Sequence, residues 1–358
     1  MLKQLLVGLL LVAIQGRAQE SGLDSVQSRR AQFIPLPVVY YTPETKLGYG
    51  LLGVCLFRTD STARTSNVDF AIIHTLNRQT VVEPTYTVFT HREHYLIRGM
   101  FLYTQFPEFY YGIGNETTDN QKELISYKSL RAYNRLLRQI KPGLFVGLQQ
   151  QYFKTFDVNR SSEREFPMNT LIGGLGSVVN GVGVAAVLDT RDNIYSPSQG
   201  WYADVSSMLY RQVLGSEFTF TNYTVDIRRY KSLSPHTVLA LQAFANLNVG
   251  EVPFKLAATL GGSFLLRGYY NGRYRDNNAL AFQAEVRQRL IGRLGGTVFA
   301  SAGNVANVLN EFSPTEWKVA GGAGLRFLIS RKEHLNLRFD VAVGQQTHGI
   351  YVNISEAF

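Results

Sequence analysis

Apolar and polar residues alternate strictly along several segments in the C-terminal half of the chain. In the clearest segment, residues 334–344, one phase holds Leu335, Leu337, Phe339, Val341 and Val343, and the other holds Asn336, Arg338, Asp340, Ala342 and Gly344. Successive side chains of a β-strand point to opposite faces, so a period of two predicts a strand with one apolar and one polar face. Residues 318–330 and 237–249 repeat the pattern.

The same pattern along the rest of the chain predicts about sixteen strands. They lie near residues 33–42, 46–58, 66–77, 79–90, 94–106, 123–138, 143–156, 178–190, 200–213, 217–230, 237–249, 277–291, 294–303, 317–329, 334–344 and 348–358. The long connections, 107–122, 157–177, 250–276 and 304–316, then fall on one side, and the short ones, 59–65, 91–93, 139–142 and 292–293, on the other. Bacterial barrels have long extracellular loops and short periplasmic turns. The fold class predicted is therefore all-β, a transmembrane antiparallel β-barrel.

One nearly uncharged segment, residues 171–188, is about as long as a membrane helix. It contains Gly173, Gly174, Gly176, Gly181 and Gly183. Glycine is a poor helix former, so this composition favours glycine-rich strand and loop over a helical span.

Composition agrees with a barrel. The chain has 32 Gly, 20 Tyr and 22 Phe, with 18% charged residues. A mean hydropathy of −0.07 is too low for a helical membrane protein, but it suits strands that face lipid on one side and water on the other. The single cysteine, Cys55, excludes an internal disulfide framework. Arginines in a polar lumen, or basic loops beside anionic lipid headgroups, explain the net charge of +9 more simply than nucleic-acid binding does.

The N-terminus has the pattern of a secretory signal. Lys3 precedes an apolar run at residues 5–14, and Gly16, Arg17 and Ala18 form a small-residue cleavage site before Gln19. We therefore predict a cleaved signal peptide at 1–18, a short periplasmic segment at 19–32 and one barrel domain at 33–358. The predicted location is the outer membrane of the cell.

Four motifs resemble those of a known family. They are Leu266-Arg267-Gly268-Tyr269 in the longest predicted outer loop, Asp189-Thr190-Arg191-Asp192-Asn193 with Pro197 and Gly200, the opening hairpin from Pro37 to Gly53, and the strand from Phe299 to Val305. Together they resemble the barrel of the BamA/TamA-type outer-membrane protein superfamily, the bacterial surface antigen barrels. The chain is similar to a short member that lacks POTRA domains.

The resemblance implies a barrel of sixteen strands in which the Arg-Gly-Tyr loop folds back into the lumen. It also implies that Arg267 pairs with acids on the barrel wall. Glu285 matches one of these acids, and Ser301 stands where the family pattern has the second. The alternative is that Arg267 is a solvated loop residue and Gly268 a simple turn.

Asp189, Arg191 and Asp192 lie at a strand end before a Pro/Gly turn. These residues could form an acidic catalytic cluster or a metal site. Salt-bridged polar residues are, however, common at strand ends. We therefore assign them a structural role. The sequence predicts no catalytic residues, no metal site, no cofactor and no enzyme.

Both ends of the barrel carry further expectations. Ile350, Val352, Ile354 and Phe358 share one phase of the last strand, and such an ending resembles the sorting signal that the barrel-assembly machinery recognises. At the other end, Pro35 and Pro37 lack a backbone N–H, which predicts a short or frayed seam between the first and last strands. The alternative is that these prolines merely mark the start of a strand.

The leading functional interpretation is an insertase-like or translocase-like barrel that assists the insertion or translocation of other proteins. Its expected partners are outer-membrane lipid, the barrel-assembly machinery, client polypeptides and a periplasmic partner protein, but not nucleic acid. The alternative is a passive pore, or a structural or adhesive surface barrel with no role in protein transport.

Overall fold

The computed structural model describes residues 31–42, 46–160, 171–331 and 333–358. The predicted signal peptide and residues 19–30 of the predicted periplasmic segment lie outside these ranges. So do residues 43–45 of the opening hairpin.

The described chain forms eighteen strands. They are β1 Gln32–Thr42, β2 Lys46–Phe57, β3 Ser66–Thr75, β4 Thr80–Phe89, β5 Tyr95–Tyr110, β6 Glu123–Lys141, β7 Leu144–Arg160, β8 Ser177–Asp189, β9 Gly200–Tyr210, β10 Phe220–Ser234, β11 Thr237–Gly250, β12 Ala258–Leu260, β13 Tyr274–Asp276, β14 Asn278–Arg289, β15 Leu294–Ala306, β16 Lys318–Ser330, β17 Leu335–Gly344 and β18 Thr347–Ile354. Short 3₁₀ helices lie at His91–Glu93, Asp119–Gln121, Gln212–Leu214 and Leu309–Glu311.

Sixteen of these strands form one antiparallel sheet in chain order, with β14 directly beside β11. The sixteen predicted strands are confirmed. The small β12–β13 sheet, inside the connection between β11 and β14, was not predicted. The last strand was predicted too long, because β18 ends at Ile354 and Ser355 turns the backbone with a φ of 69°.

The alternation predicted from sequence is observed as two faces. On β17, Phe339, Val341 and Val343 are 41%, 46% and 61% exposed, whereas Arg338 and Asp340 are fully buried. The apolar face therefore points outward and the polar face inward. This is the reverse of a soluble protein, and it suits strands surrounded by lipid.

The segment at 171–188 follows the expectation of strand and loop, because β8 begins at Ser177. Within the described ranges, no helix is long and apolar enough to cross a membrane.

The ends of the sheet differ in their connections. One end, here called the turn end, has the short connections such as 142–143 and 235–236, and the other, the loop end, has the long ones such as 251–277. An apolar cluster packs inside the turn end. This floor cluster consists of Ala63, Phe89, Leu96, Leu137, Phe145, Ala185, Val187, Tyr202, Tyr230, Ala240, Ala357 and Phe358.

The first and last strands are the two ends of the hydrogen-bonded ladder. β1 pairs with β2 along its whole length, with Pro35 opposite Gly53 and Pro37 opposite Leu51, and β18 pairs with β17. Among the described residues no ladder joins β1 to β18. The closed ring of hydrogen bonds expected from sequence is therefore not observed at this seam.

Candidate functional site: the lumen loop and its anchor

The connection between β11 and β14, residues 251–277, folds into the barrel and is called the lumen loop below. Its Leu260, Leu266 and Tyr269 are almost fully buried and pack on the inner faces of β14 to β16, in one cluster with Ala281 and Val305. A lumen-folded loop was predicted, and the structure places it there.

Arg267 is the most deeply buried charge of this loop. Its side chain is fully buried, and Nη1 donates a hydrogen bond of 2.7 Å to Asp340 Oδ2. Nη2 lies 3.4 Å from Glu285 Oε1, and the guanidinium carbon lies 3.5 Å from the centre of the Phe299 ring. A buried guanidinium needs such charge-assisted partners, because an unpaired buried charge costs several kcal/mol. Arg267 is therefore not a solvated loop residue.

The acid that Arg267 contacts most closely was missed at the sequence level. The Ser301 hydroxyl, predicted as a wall partner, is buried but has no hydrogen-bond partner in the described part of the chain. Asp340, two strands away on β17, supplies the second carboxylate instead. Its signal was visible, because Asp340 lies on the polar phase of the clearest predicted strand beside Arg338.

Further charges surround this pair and form what is called the arginine cluster. It contains Arg267, Arg287, Arg326 and Arg338 together with Glu285, Asp340 and Glu356. Asp340 has the central position, because its carboxylate lies 2.6 Å from Arg326 Nη1 and 3.6 Å from Arg338 Nη1 as well as 2.7 Å from Arg267. The cluster therefore has four guanidinium groups for three carboxylates, and Asp340 is shared by three of the four.

The backbone and the tyrosine beside Arg267 are hydrogen-bonded to β18 and β16. Tyr351 on β18 accepts a hydrogen bond from the Gly268 N–H at 2.9 Å and donates to the Tyr269 carbonyl at 3.2 Å. The Thr347 hydroxyl donates to the Gly268 carbonyl, and the Tyr269 hydroxyl donates to the Val319 carbonyl on β16. The motif thus clamps the loop to β16, β17 and β18.

Small residues on the wall make room for this contact. Gly268 has a φ of 113°, and a Cβ there would lie 2.9 Å from the Val343 carbonyl carbon. On β16, a Cβ on Gly324 would collide with the Asp340 carboxylate, and one on Gly322 with the Phe299 ring. The glycines on the inward phase of this strand therefore leave room for Phe299 and Asp340 of the neighbouring strands, which in turn contact Arg267.

The opposite side of the lumen loop contacts the wall formed by β5 to β7. Lys255 Nζ lies 2.6 Å from Glu108 Oε1, and Arg275 Nη2 lies 3.2 Å from the same oxygen. Burial lowers the pKa of Lys255 to about 8, although Glu108 acts in the opposite direction. Phe254 packs edge-on against Tyr110. The loop therefore spans the lumen from β5 to β18.

The aspartate motif at the end of β8 lies at the turn end, far from the lumen loop in sequence. Asp189 accepts hydrogen bonds of 2.8 Å from both Nε and Nη2 of Arg191 and lies 3.1 Å from Arg64 Nη1. Asp192 accepts the N–H groups of Asn193 and Ser198 and caps the turn. These contacts order the turn 190–199.

The chain beyond β18 turns inward. Ile350 is 46% exposed on the outer face, but Phe358 is only 4% exposed and packs in the floor cluster. The expectation that Phe358 shares the outer phase with Ile350, Val352 and Ile354 is therefore wrong. The physical reason is the change of direction at Ser355, which is followed by the ion pair of Glu356 with Arg326 at 2.7 Å. Whether these residues act as a sorting signal stays a prediction.

Comparison with known proteins agrees with this geometry. Residues 124–358 match the family model of the Omp85 superfamily domain. Among solved structures, BamA from Haemophilus ducreyi lacking POTRA domains 1–3 is 15% identical with a TM-score of 0.58, and the match covers 91% of this chain and 70% of that one. CdiB from Escherichia coli is 9% identical with a TM-score of 0.59, covering 90% of this chain and 62% of that one. CdiB from Acinetobacter baumannii is 11% identical with a TM-score of 0.57, and the match covers 91% of this chain and 60% of that one. The chain thus spans less than two thirds of either CdiB, and no curated protein matches it in sequence.

Proposed function

Because the chain belongs to the Omp85 superfamily, whose outer-membrane barrels are non-enzymatic insertases and transporters, we propose that it assists the insertion or translocation of other proteins. It is an outer-membrane barrel and not an enzyme. The transport role itself, the client protein and the partner protein are what we propose here.

The observation that carries the proposal is the different support of the two end strands. β18 is held by β17 on one side and by the lumen loop, through Tyr351 and Thr347, on its inner face. β1 is hydrogen-bonded to β2 on one side, and among the described residues it has no ladder to β18 on the other. If the seam opens, β1 is the strand expected to move, because β18 is clamped.

A movable first strand offers a client an edge of unpaired backbone groups. In lipid such groups are costly, so an incoming strand that pairs with them lowers the free energy of the assembly. Pro35 and Pro37 remove two donors from β1 and weaken whatever closes the seam. The process needs no nucleotide or cofactor, because backbone pairing and local thinning of the bilayer supply the driving force.

The interior argues against the alternative of a passive pore. The lumen loop spans the barrel near the loop end, and the floor cluster fills the turn end with apolar side chains. We expect the purified barrel in a planar bilayer to show low and unsteady conductance. A large, stable open channel would favour the pore interpretation.

The seam is tested with disulfide crosslinks. Cys55 lies opposite Phe33 in the β1–β2 ladder, so Cys55→Ser comes first to remove a competing thiol. One cysteine is then placed in residues 33–37 and one in residues 348–353, and the pair is oxidised in cells depleted of the wild-type protein. A matched control crosslinks Val341 to Ile350, which are ladder partners in β17 and β18.

We expect the seam crosslink to lower the levels of other outer-membrane proteins as strongly as depletion does, and reduction to restore them. The control crosslink should have no effect. Normal levels with a complete seam crosslink would exclude opening, and normal levels after depletion itself would exclude the transport role.

Partners are proposed on the same basis. We propose that a periplasmic protein delivers clients to the turn end. The cleaved signal peptide at 1–18 and the recognition of Phe358 by the assembly machinery are parts of the same proposal. Deleting Phe358 should reduce the amount of heat-modifiable folded barrel in the membrane, and an unchanged amount would refute its sorting role.

A further inference from the structure

A polar chamber lies in the barrel beside the lumen loop. It has a volume of about 660 Å³ and is lined by the inner faces of β5 to β7 and β9 to β11 and by loop residues around Lys255 and Asn271. Cavities of this size hold small molecules in many proteins. The chamber is separate from the arginine cluster, which lies against β14 to β18.

The charges that line the chamber are unbalanced. Four cations, Arg131, Arg135, Lys255 and Arg275, face it together with one carboxylate, Glu108. Glu108 is already engaged by Lys255 and Arg275. Arg135 is paired with Asp204, with 2.5 Å between Nη1 and Oδ2. Arg131 remains.

Arg131 has no anionic partner in the part of the chain that the structure describes. Among the described residues, no carboxylate forms an ion pair with its guanidinium, and its Nε is buried without a hydrogen-bond partner. Glu83 on β4 faces it from beyond ion-pair distance, and the Phe153 ring lies 4.6 Å from the guanidinium carbon. A guanidinium placed in this way gains most from a bound oxyanion, which accepts two parallel hydrogen bonds.

The rest of the lining suits a polar ligand body. Asn222, Asn246 and Asn248 form a row of side-chain amides on β10 and β11, linked by hydrogen bonds of 2.7 and 2.8 Å. Aromatic faces, among them Tyr133 and Phe244, line the same space. Amides that satisfy hydroxyl groups and aromatic rings that cover the apolar face of a ring are the groups that recognise sugars.

We propose that this chamber is a binding site for a small acidic sugar, with Arg131 as the residue that binds its carboxylate or phosphate group. The proposal is independent of the transport function, because it involves neither the seam nor a client polypeptide. Arg131 fixes the acid. The side-chain amide of Asn246 fixes the hydroxyl groups, because the N–H groups of Asn222 and Asn248 already donate to neighbouring asparagines and to the Asn277 carbonyl.

Isothermal titration calorimetry on the purified full-length barrel in detergent tests the proposal with three probes: glucuronate, glucose and inorganic phosphate. We expect glucuronate to bind more tightly than phosphate, and glucose to bind more weakly than either. Arg131→Gln should weaken the affinity for glucuronate by about tenfold or more, because it removes a charge-assisted hydrogen-bonded pair. The matched control is Arg138→Gln on the same strand, whose side chain is exposed, and it should leave binding unchanged.

Heat-modifiable migration on gels verifies that each variant is a folded barrel. Glucuronate binding that is absent in the wild type, or equal in wild type and Arg131→Gln, would overturn the site. If phosphate binds as tightly as glucuronate, the proposal of a sugar ligand is wrong and the site binds a free anion. An Asn246→Ala variant that loses glucuronate but keeps phosphate would separate the two parts of the site.

Discussion

Asp340, rather than Arg267, should be the residue whose loss most destabilises the lumen. Asp340→Asn keeps the shape of the side chain but leaves four guanidinium groups with two carboxylates. Arg267→Gln leaves three of each. Because Asp340 contacts three arginines at 2.6 to 3.6 Å, its neutralisation exposes more uncompensated buried charge.

The magnitude follows from the burial of both partners, which are essentially inaccessible to solvent. Breaking a buried pair by removing one partner costs about 3–5 kcal/mol. We expect Asp340→Asn to reach the upper end of this range. Arg267→Gln should cost about 2–3 kcal/mol, because the lost hydrogen bond and the lost contact with Phe299 are partly offset by the improved charge balance.

Urea unfolding of the refolded barrel in lipid vesicles, followed by the fluorescence of Trp201 and Trp317, measures these differences. The control is Asp157→Asn, which removes an exposed carboxylate from a 2.8 Å pair with Lys128. Exposed pairs contribute about 1 kcal/mol or less. The reasoning fails if Asp340→Asn costs no more than Asp157→Asn, or less than Arg267→Gln.

Three further outcomes are expected. Gly268→Ala should destabilise by about 2–5 kcal/mol, because it combines a left-handed φ with a backbone clash, whereas Gly292→Ala, with a φ of 57° and open space around it, should cost about 1–2 kcal/mol; equal urea midpoints would contradict the clamp. Tyr351→Phe should lower stability by about 1–3 kcal/mol and increase proteolysis in the lumen loop, while Tyr223→Phe on the outer face should do neither; intact resistance to protease in the first variant would be the contrary result. Hydrogen bonds from the Arg92 N–H and from the turn around Thr62 hold the pKa of Asp60 well below its usual range, so its contribution to stability is complete above about pH 4 and is lost as the pH falls below; Asp60→Asn should make the urea midpoint less sensitive to acid, and an unchanged acid dependence would refute the assignment.

The strands were predictable because the outer and inner faces have opposite polarity. An exposed apolar phase such as that of Phe339, Val341 and Val343 has to alternate with a buried polar one, so the period of two survives along the barrel. The end of β18 was not predictable in this way. Its apolar phase of Ile350, Val352 and Ile354 continues formally to Phe358, and only the ion pair of Glu356 with an arginine from another strand reveals that the backbone leaves the wall.

The site was predictable in part for a similar reason. Arg267 and Glu285 belong to motifs with local spacing, so a resemblance identified them, whereas Asp340 lies 73 residues from Arg267 and meets it only because the lumen loop folds back against β17. Pairs so distant along the chain leave no periodic signal. The glycines at 322 and 324 were a usable indication, since they lie on an inward phase where a water-filled lumen would not require small residues.

The lumen loop has a mechanical consequence for the whole cylinder. A barrel wall of sixteen strands can flatten, because the sheet can bend between each pair of neighbouring strands. The loop ties opposite sides of the ring together, through Lys255 and Glu108 on one side and Arg267 and Asp340 on the other. A change in the barrel's cross-section therefore changes the distance between the two anchor points of the lumen loop. A displacement of the loop at the surface and a deformation of the wall are mechanically coupled.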